Sequence, residues 1–596
     1  MAEIHSQAPI TFIPDNLTIP QFFLDYHHPL RPVREATTPI FIDDDNGRKI
    51  GLEEARTRAY GLANSLSLRF GFDQEEVVCL FSPNHVDYAV VLWAVHRLGG
   101  VITPSNASYT TEELVHQLQI THSSFVVVHS SFLHTAAEAC RRVGISSERI
   151  IILDQASSPL HATPSHPSVP ELIEDGLTQR CNFVEKRLAP GEAKTKLALL
   201  CMSSGTTGKP KAVAIAHYAL IANVIQLVAH HGDAETKLGT PAEERRFRRG
   251  DIAVAVLPFS HIYGLVVILH KPIFEAMALV IVPKFDFPRF LDSIVRYKIT
   301  HLFVVPPMIV LLCKHPIVKQ YDLSRVRFCV SGAAPLSSEL IGQLAYILPS
   351  SAIGQGYGMT ETCTAVTLTS ASRWVDRSGS VGTLLPGVVA RIVKADGTLA
   401  KPGESGEMIV HSPSNALGYV GNEKETSATF SNGWVKTGDE VIYNESDDEF
   451  YIVDRLKEMI KVRGFQVAPA ELEGHLLGHP DIADACVVGV PDEFSGEIPF
   501  AFVVMRAHAA QRIHNSAWEA DSMRSAISKH VSDAKVKYKW LTGGVEFLDV
   551  IPKTPSGKLL RRLLRDKARA LRAKAKVTNP RADTRTEVAM EARAKL

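Results

Sequence analysis

The chain has 596 residues, 45% hydrophobic and 21% charged, a length that exceeds what one hydrophobic core usually serves and so predicts at least two domains. Its 64 Lys and Arg are balanced by 64 Asp and Glu, which excludes a broad basic field for nucleic acid. The eight cysteines, Cys79, Cys140, Cys181, Cys201, Cys313, Cys329, Cys363 and Cys486, lie far apart without a C-x-x-C pair, so no thiolate zinc site or disulfide framework is expected and a reducing intracellular compartment is the natural reading.

The N-terminus, MAEIHSQAPITFIP, lacks a basic start followed by an apolar core and does not read as a secretory signal. Short β-branched runs then recur at 77–81, 125–129, 150–153, 252–257, 279–283 and 301–306, with helical spacing between several of them, as in Tyr88–Arg97 and Phe290–Tyr297. Apolar strands alternating with helices predict layered α/β structure with largely parallel sheets. Residues 155–170, rich in Pro, Ser and His, read as a surface loop, and residues 231–250, mixing acids and arginines without apolar periodicity, as another excursion. The stretch Ile252–Leu269 has no formal charge and is long enough to span a bilayer. Pro258, Ser260, His261 and Gly264 interrupt it, so a buried strand, a polar loop and a helix are expected there and no membrane span.

The texture changes after about residue 380. A strand with a DG turn at 388–400 and a turn leading into a strand at 402–411 predict a small β-rich subdomain closing the large domain. After Arg455 a compact α+β unit is expected, with a helix at 470–480, strands at 486–491 and 500–505, and a basic helix at 558–574. The predicted fold class is therefore α/β: a large domain over 1–454, a small mobile α+β domain over 455–570 and a mobile tail over 571–596.

Several segments carry chemistry. Ser203-Ser204-Gly205-Thr206-Thr207-Gly208-Lys209-Pro210-Lys211 follows an apolar run, and its residue types suit a polyphosphate. Glycines let backbone amides approach the anion, hydroxyls donate hydrogen bonds and lysines supply charge. It is not a Walker A loop, because the spacing is missing and Pro210 stands where Ser or Thr belongs. Gln355-Gly356-Tyr357-Gly358-Met359-Thr360-Glu361 reads as a glycine-rich turn bearing an aromatic for a purine and a carboxylate for Mg²⁺, or as a plain turn. Asp439 in Thr437-Gly438-Asp439 reads alone as a cap or a solvated charge, and Asp454-Arg455-Leu456-Lys457 as an ion-paired turn. His261 and Tyr263 follow a buried strand, where a satisfied core histidine is the plain alternative.

In this order the motifs resemble the adenylate-forming enzymes, and among them the 4-coumarate–CoA ligases and the luciferase-like acyl–CoA ligases, from about residue 30 to 570. The resemblance implies roles. Ser203, Ser204, Gly205, Thr206, Thr207 and Lys211 would cradle the phosphates of ATP. Gln355 and Gly356 would belong to the ATP site, Tyr357 would flank adenine, Thr360 would touch the α-phosphate, and Glu361 would hold Mg²⁺. Asp439 would grip the ribose hydroxyls and Arg455 the ribose, with Lys457 at a hinge. Lys558 would complete adenylation, whereas the surface around Lys461 and Gly464 would serve thioester formation. His261 would lie at the acyl–adenylate junction, and Tyr263, Ala333 and Gly356 would line the acid pocket. Lys284, Arg463 and Gly464 would meet coenzyme A; Arg463 departs from the lysine of many plant coumarate ligases, and its planar fork changes that contact.

The implied activity is an acid–CoA ligase using ATP, Mg²⁺ and coenzyme A on a small carboxylic acid. An aryl acid of the phenylacetate or cinnamate kind is expected, with a medium-chain fatty acid as the alternative. An amino-acid-activating domain of a peptide synthetase is disfavoured: Phe259-Ser260-His261 replaces the usual F-D-x-S, and fewer than about forty residues follow Lys558. A luciferase-type oxygenase and an inactive nucleotide-binding scaffold remain rivals. The chain ends Ala594-Lys595-Leu596, a conservative variant of the S-K-L address, so a peroxisomal import receptor is an expected partner and the cytoplasm the other expected location. Nothing in the sequence sets the oligomeric state.

Overall fold

The computed structural model describes residues 3–154, 166–203, 210–334, 336, 338–370, 372–375, 379–456, 458–463, 465–492, 495–554 and 557–578. Two compact units emerge, Met1–Ile452 and Val453–Leu596.

The larger unit holds two sheets with parallel cores and one antiparallel sheet. A seven-stranded sheet runs in the order Gly418–Tyr419, Lys211–Ala216, Leu197–Ser203, Val101–Ser105, Val77–Phe81, Phe125–Val128, Ile150–Ile152. It is parallel from Leu197–Ser203 onward, and its first two strands are antiparallel additions. Alternation along its strands feeds two cores. Val78, Leu80 and Val127 point into the main core, while Cys79, Phe81, Val126 and Val128 pack a second cluster on the opposite face. This double burial explains the continuous apolar runs. The helix Tyr88–Arg97 is buried at every position, as an all-round hydrophobic helix between layers must be.

A nine-stranded sheet runs Thr383–Leu384, Thr364–Leu368, Ala352–Met359, Phe328–Ser331, His301–Val304, Ile252–Ala255, Ala278–Ile281, Phe41–Asp43, Lys49–Ile50, and is parallel between Ala352–Met359 and Phe41–Asp43. The β-rich part forms a six-stranded sheet built on Val389–Val393, Ser405–His411 and Trp434–Asn444, with the N-terminal Ile4–His5 added at its edge. In the smaller unit a five-stranded sheet centred on Ile482–Asp492 and Gly496–Met505 carries a core on each face. Arg561 opens the helix Arg561–Thr578 and bonds Glu458 at 3.0 Å and Glu473 at 2.6 Å.

Four local expectations need correction. Residues 155–165 of the expected loop lie outside the described residues, but Val169 and Pro170 begin a helix, because Ser168 and Glu171 close a capping box around a proline in the first turn. The expected excursion at 231–250 starts inside a helix, His217–Lys237. His231, Glu235 and Arg246 are buried, where Glu235 accepts from the Arg246 amide at 2.7 Å and Phe247 packs on His231, His301 and Phe328, whereas Thr236, Lys237, Glu243, Glu244 and Arg249 are exposed, as the excursion predicts. The basic helix starts at Arg561, not 558. The segment 355–359 is strand, not turn, for reasons given below. Among the described residues, no helix is long and apolar enough to cross a membrane.

Candidate active site

The carboxyl ends of parallel strands in open α/β sheets are where ligands are usually held, and two motifs of the larger unit begin there, one at Ser203 and one at Gln355. Ser203 ends the strand Leu197–Ser203 and stands opposite Lys211, the first residue of the returning antiparallel strand. Ser204, Gly205, Thr206 and Thr207, between them, lie outside the described residues. Lys211 makes a close ion pair with Glu425, and its ammonium sits 4.9 Å from the centre of the Tyr419 ring.

The strand Ala352–Met359 carries the second motif. Up to Gln355 it pairs in parallel with Phe328–Ser331, Gln355 standing opposite Ser331; from Gly356 it pairs antiparallel with Thr364–Leu368. That second pairing makes it a strand. The glycines serve close approach: a Cβ on Gly358 would lie 1.5 Å from the Thr364 carbonyl oxygen, and one on Gly356 would lie 3.0 Å from Leu368 Cδ1. The Gln355 side chain is buried and tied to backbone, accepting from the Leu336 amide at 2.8 Å and donating to the Ser380 carbonyl at 2.8 Å. Tyr357 donates its hydroxyl proton to Asp439 Oδ2 at 2.6 Å, which joins two separately identified motifs. Asp439 is buried next to Gly438, whose φ of 70° turns the chain there.

Thr360 opens a short 3₁₀ turn that delivers Glu361 into a buried position. Glu361 Oε1 accepts two hydroxyl protons, from Ser203 at 3.0 Å and from Tyr419 at 2.8 Å. Burial, then the Glu361 charge, push the Tyr419 phenol above its ordinary range, so it stays a donor. Neither Tyr419 nor Glu425 stands out in the sequence; the signal present is Gly418-Tyr419 followed by Glu425.

On the acid side, His261 Nδ1 accepts from the Tyr263 amide at 3.2 Å. Tyr263 is buried, donates to the Val330 carbonyl at 3.4 Å and presents its ring to bare backbone; a Cβ on Gly332 would meet that ring at 3.3 Å. Ala333 follows, exposed and at φ 70°. Lys284 is exposed past the end of the strand Ala278–Ile281.

In the smaller unit, Asp454 is buried, accepts from the amides of Arg455 at 2.7 Å and Ala470 at 3.1 Å, and has its pKa raised by burial against the lowering pull of Arg561. Lys461 lies exposed on a hairpin strand, its amide bonded to Glu497 at 3.0 Å. Arg463 bonds Ser495 Oγ at 3.2 Å. The amide of Lys558 donates to Thr554 Oγ1 at 3.0 Å. Lys457 and Gly464 lie outside the described residues.

Among the described residues no cluster of three or more His, Cys, Asp or Glu could cage a metal. A single buried carboxylate beside a phosphate-type loop fits Mg²⁺, which is usually held by one or two carboxylates, waters and substrate phosphates.

The family model described as AMP-binding enzyme matches residues 31–420, and that for the AMP-binding enzyme C-terminal domain matches residues 471–558. An acyl-CoA ligase of Cordyceps militaris is 32% identical, covering 94% of this chain and 89% of its own. A protein of Dictyostelium discoideum named a probable 4-coumarate–CoA ligase is 35% identical, covering 84% of this chain and 87% of its own. Of solved structures, ATP-bound MatB from Rhodopseudomonas palustris matches with a TM-score of 0.76 at 25% identity, over 93% of this chain and 99% of its own. An anthranilate CoA ligase in complex with anthranoyl-AMP matches with a TM-score of 0.78 at 23% identity, over 94% and 99%, and at that identity shows the fold alone.

Proposed function

The chain belongs to the AMP-binding enzyme family, and within it to the acyl–CoA ligases, and on that premise we propose that it adenylates a flat aryl acid with ATP and passes the acyl group to coenzyme A. The observation that carries this is the linked pair of contacts in the larger unit: Ser203 and Tyr419 on Glu361, and Tyr357 on Asp439. They join Ser203 to Glu361 and Tyr357 to Asp439, the residues to which the resemblance gives phosphate, metal, adenine and ribose roles.

A free carboxylate is a poor acyl donor because oxide would have to leave. Attack of its oxygen on the α-phosphorus of ATP forms a mixed anhydride and releases pyrophosphate; the thiol of coenzyme A then attacks the acyl carbonyl and AMP leaves. The protein's tasks are to position the reactants and to meet spreading negative charge. Lys211 and the 203–211 loop meet the phosphates, Tyr357 and Asp439 fix the nucleoside, and Lys558 completes adenylation. Lys461, Arg463 and Gly464 serve the thioester step, and the segment Asp454–Lys457 is the hinge. Glu361 would hold Mg²⁺, which would supply further charge neutralisation at the phosphates.

The aryl preference rests on the Tyr263 ring against the bare Gly332 backbone, a wall suited to a planar substituent. A panel of cinnamates, phenylacetates, benzoates and medium-chain fatty acids, assayed for pyrophosphate with and without coenzyme A, tests the reading. Turnover of fatty acids ahead of aryl acids overturns the acid class, and pyrophosphate release that coenzyme A fails to turn into thioester overturns the ligase. For a eukaryotic host, Ala594-Lys595-Leu596 is the proposed address for a peroxisomal import receptor. Microscopy of an N-terminally tagged chain, with and without those residues, tests this; diffuse cytosolic signal from the intact chain refutes it.

A further inference from the structure

We propose that Tyr419 is a positioning residue that couples the metal-holding carboxylate to the phosphate-binding lysine; this rests on the acid–CoA ligase reading. Three contacts converge on this one residue. Its hydroxyl donates to Glu361 Oε1 at 2.8 Å, its ring lies 4.9 Å beneath the Lys211 ammonium, and its backbone extends the sheet by pairing with Val213, two residues past Lys211. The ring also packs against Phe430, edge-on at 5.5 Å.

The chemistry follows from which carboxylate oxygen is occupied. Ser203 and Tyr419 both donate to Oε1, and among the described residues no hydrogen bond reaches Oε2. Two donors on one oxygen lock the carboxylate plane and leave Oε2 as the lone-pair face for a hard cation. Tyr419 thus sets the direction of Glu361 without itself touching metal or nucleotide. The same ring holds Lys211 at a fixed height beside Glu425, its resting counter-charge. When phosphate arrives, Lys211 exchanges one anion for another over a surface that does not move. Metal and phosphate sites are therefore set by one rigid group, as a preorganised charge site requires.

Tyr419→Phe keeps the ring, its packing on Phe430 and its contact with Lys211, and removes the hydroxyl that donates to Glu361 and also bonds the Thr429 side chain; Thr429→Val is the control that removes the latter bond alone. ATP binding is measured by calorimetry without acid substrate, once with Mg²⁺ and once with EDTA, with melting curves as the check on folding. Loss of a hydrogen bond to a charged group predicts roughly ten-fold weaker binding with Mg²⁺ and unchanged binding in EDTA. In a Glu361→Gln background the same substitution should change neither. Tyr419→Leu, which also removes the ring, should weaken binding in EDTA as well. Equal weakening of Tyr419→Phe in both conditions would mean a merely structural role and overturns the inference, as does full retention of the Mg²⁺ effect. A wild-type protein that binds no ATP overturns the ligase reading itself, and one that binds it equally with and without Mg²⁺ overturns the assignment of Glu361 and this inference together.

Discussion

Acid should destabilise the larger unit through its interior imidazoles. His96, His217, His231, His270 and His301 are at most 2% exposed. Burial holds all five below the ordinary 6.5, His96 at about 3 and His270 at about 4. The sign follows from the depressed folded-state pKa. Above 6.5 both states are neutral and nothing is lost; below it the unfolded chain takes up protons that the folded chain refuses, so stability falls with pH until about pH 4 to 3. Between pH 7 and 5 His96 and His270 cost about 2 kcal/mol each, together about 4 kcal/mol, a large share of the 5–15 kcal/mol of a typical fold. Asp251 and Glu275, raised by burial, act in the opposite direction, because the folded state binds their protons first. A single substitution therefore gives the cleaner reading. Urea melts at pH 7, 6 and 5 can be followed by tryptophan emission, to which Trp93, fully buried 6.4 Å from His270, contributes. In His270→Gln the loss of stability per pH unit below 6.5 should shrink by about 1.4 kcal/mol, the worth of one proton. Parallel pH dependences for wild type and variant would refute this account of the core.

Lys558→Ala should slow pyrophosphate release by about 100-fold or more while thioester formation from a supplied acyl-adenylate stays near wild type, and Gly464→Ala should show the opposite bias; equal losses in both assays would remove the division of labour. Gly358→Ala should cost more than about 3 kcal/mol, since its Cβ would sit 1.5 Å from a backbone oxygen, whereas Gly342→Ala, with nothing within 4 Å in the helix Ser338–Ile347, should gain up to about 1 kcal/mol. Denaturant midpoints for the pair decide it. Ala333→Leu should shift the acid profile toward smaller acids and leave the KM for ATP unchanged; an unaltered profile would place the acid elsewhere.

What the sequence makes legible, and what it hides, divides along a physical line. The residues proposed to touch a ligand come as short motifs, and Ser203, Tyr357, Glu361 and Asp439 are each singled out that way. Strands buried on both faces announce themselves as β-branched runs, and the helix Tyr88–Arg97 is bounded as its spacing predicts. Some errors come from partners distant in the chain, whereas the helix start at Val169 is signalled locally by Ser168 and Glu171. Gly356 and Gly358 look like turn glycines until Thr364–Leu368 is seen to pass so closely that no side chain fits. The buried part of 231–250, His231, Glu235 and Arg246, is hidden in the sequence until Phe247 is found 3.5 Å from the Lys271 ammonium, itself bonded to Glu275 at 2.5 Å in the interior. Tyr419 reaches Glu361 across 58 positions and Lys211 only because a two-residue strand pairs with Ala214 and Val213. A motif thus specifies which atoms meet the substrate, but the stiffness that makes those atoms effective is supplied by long-range pairings. A variant that retains every motif residue and disturbs those pairings should therefore bind its ligands weakly while still looking competent in sequence.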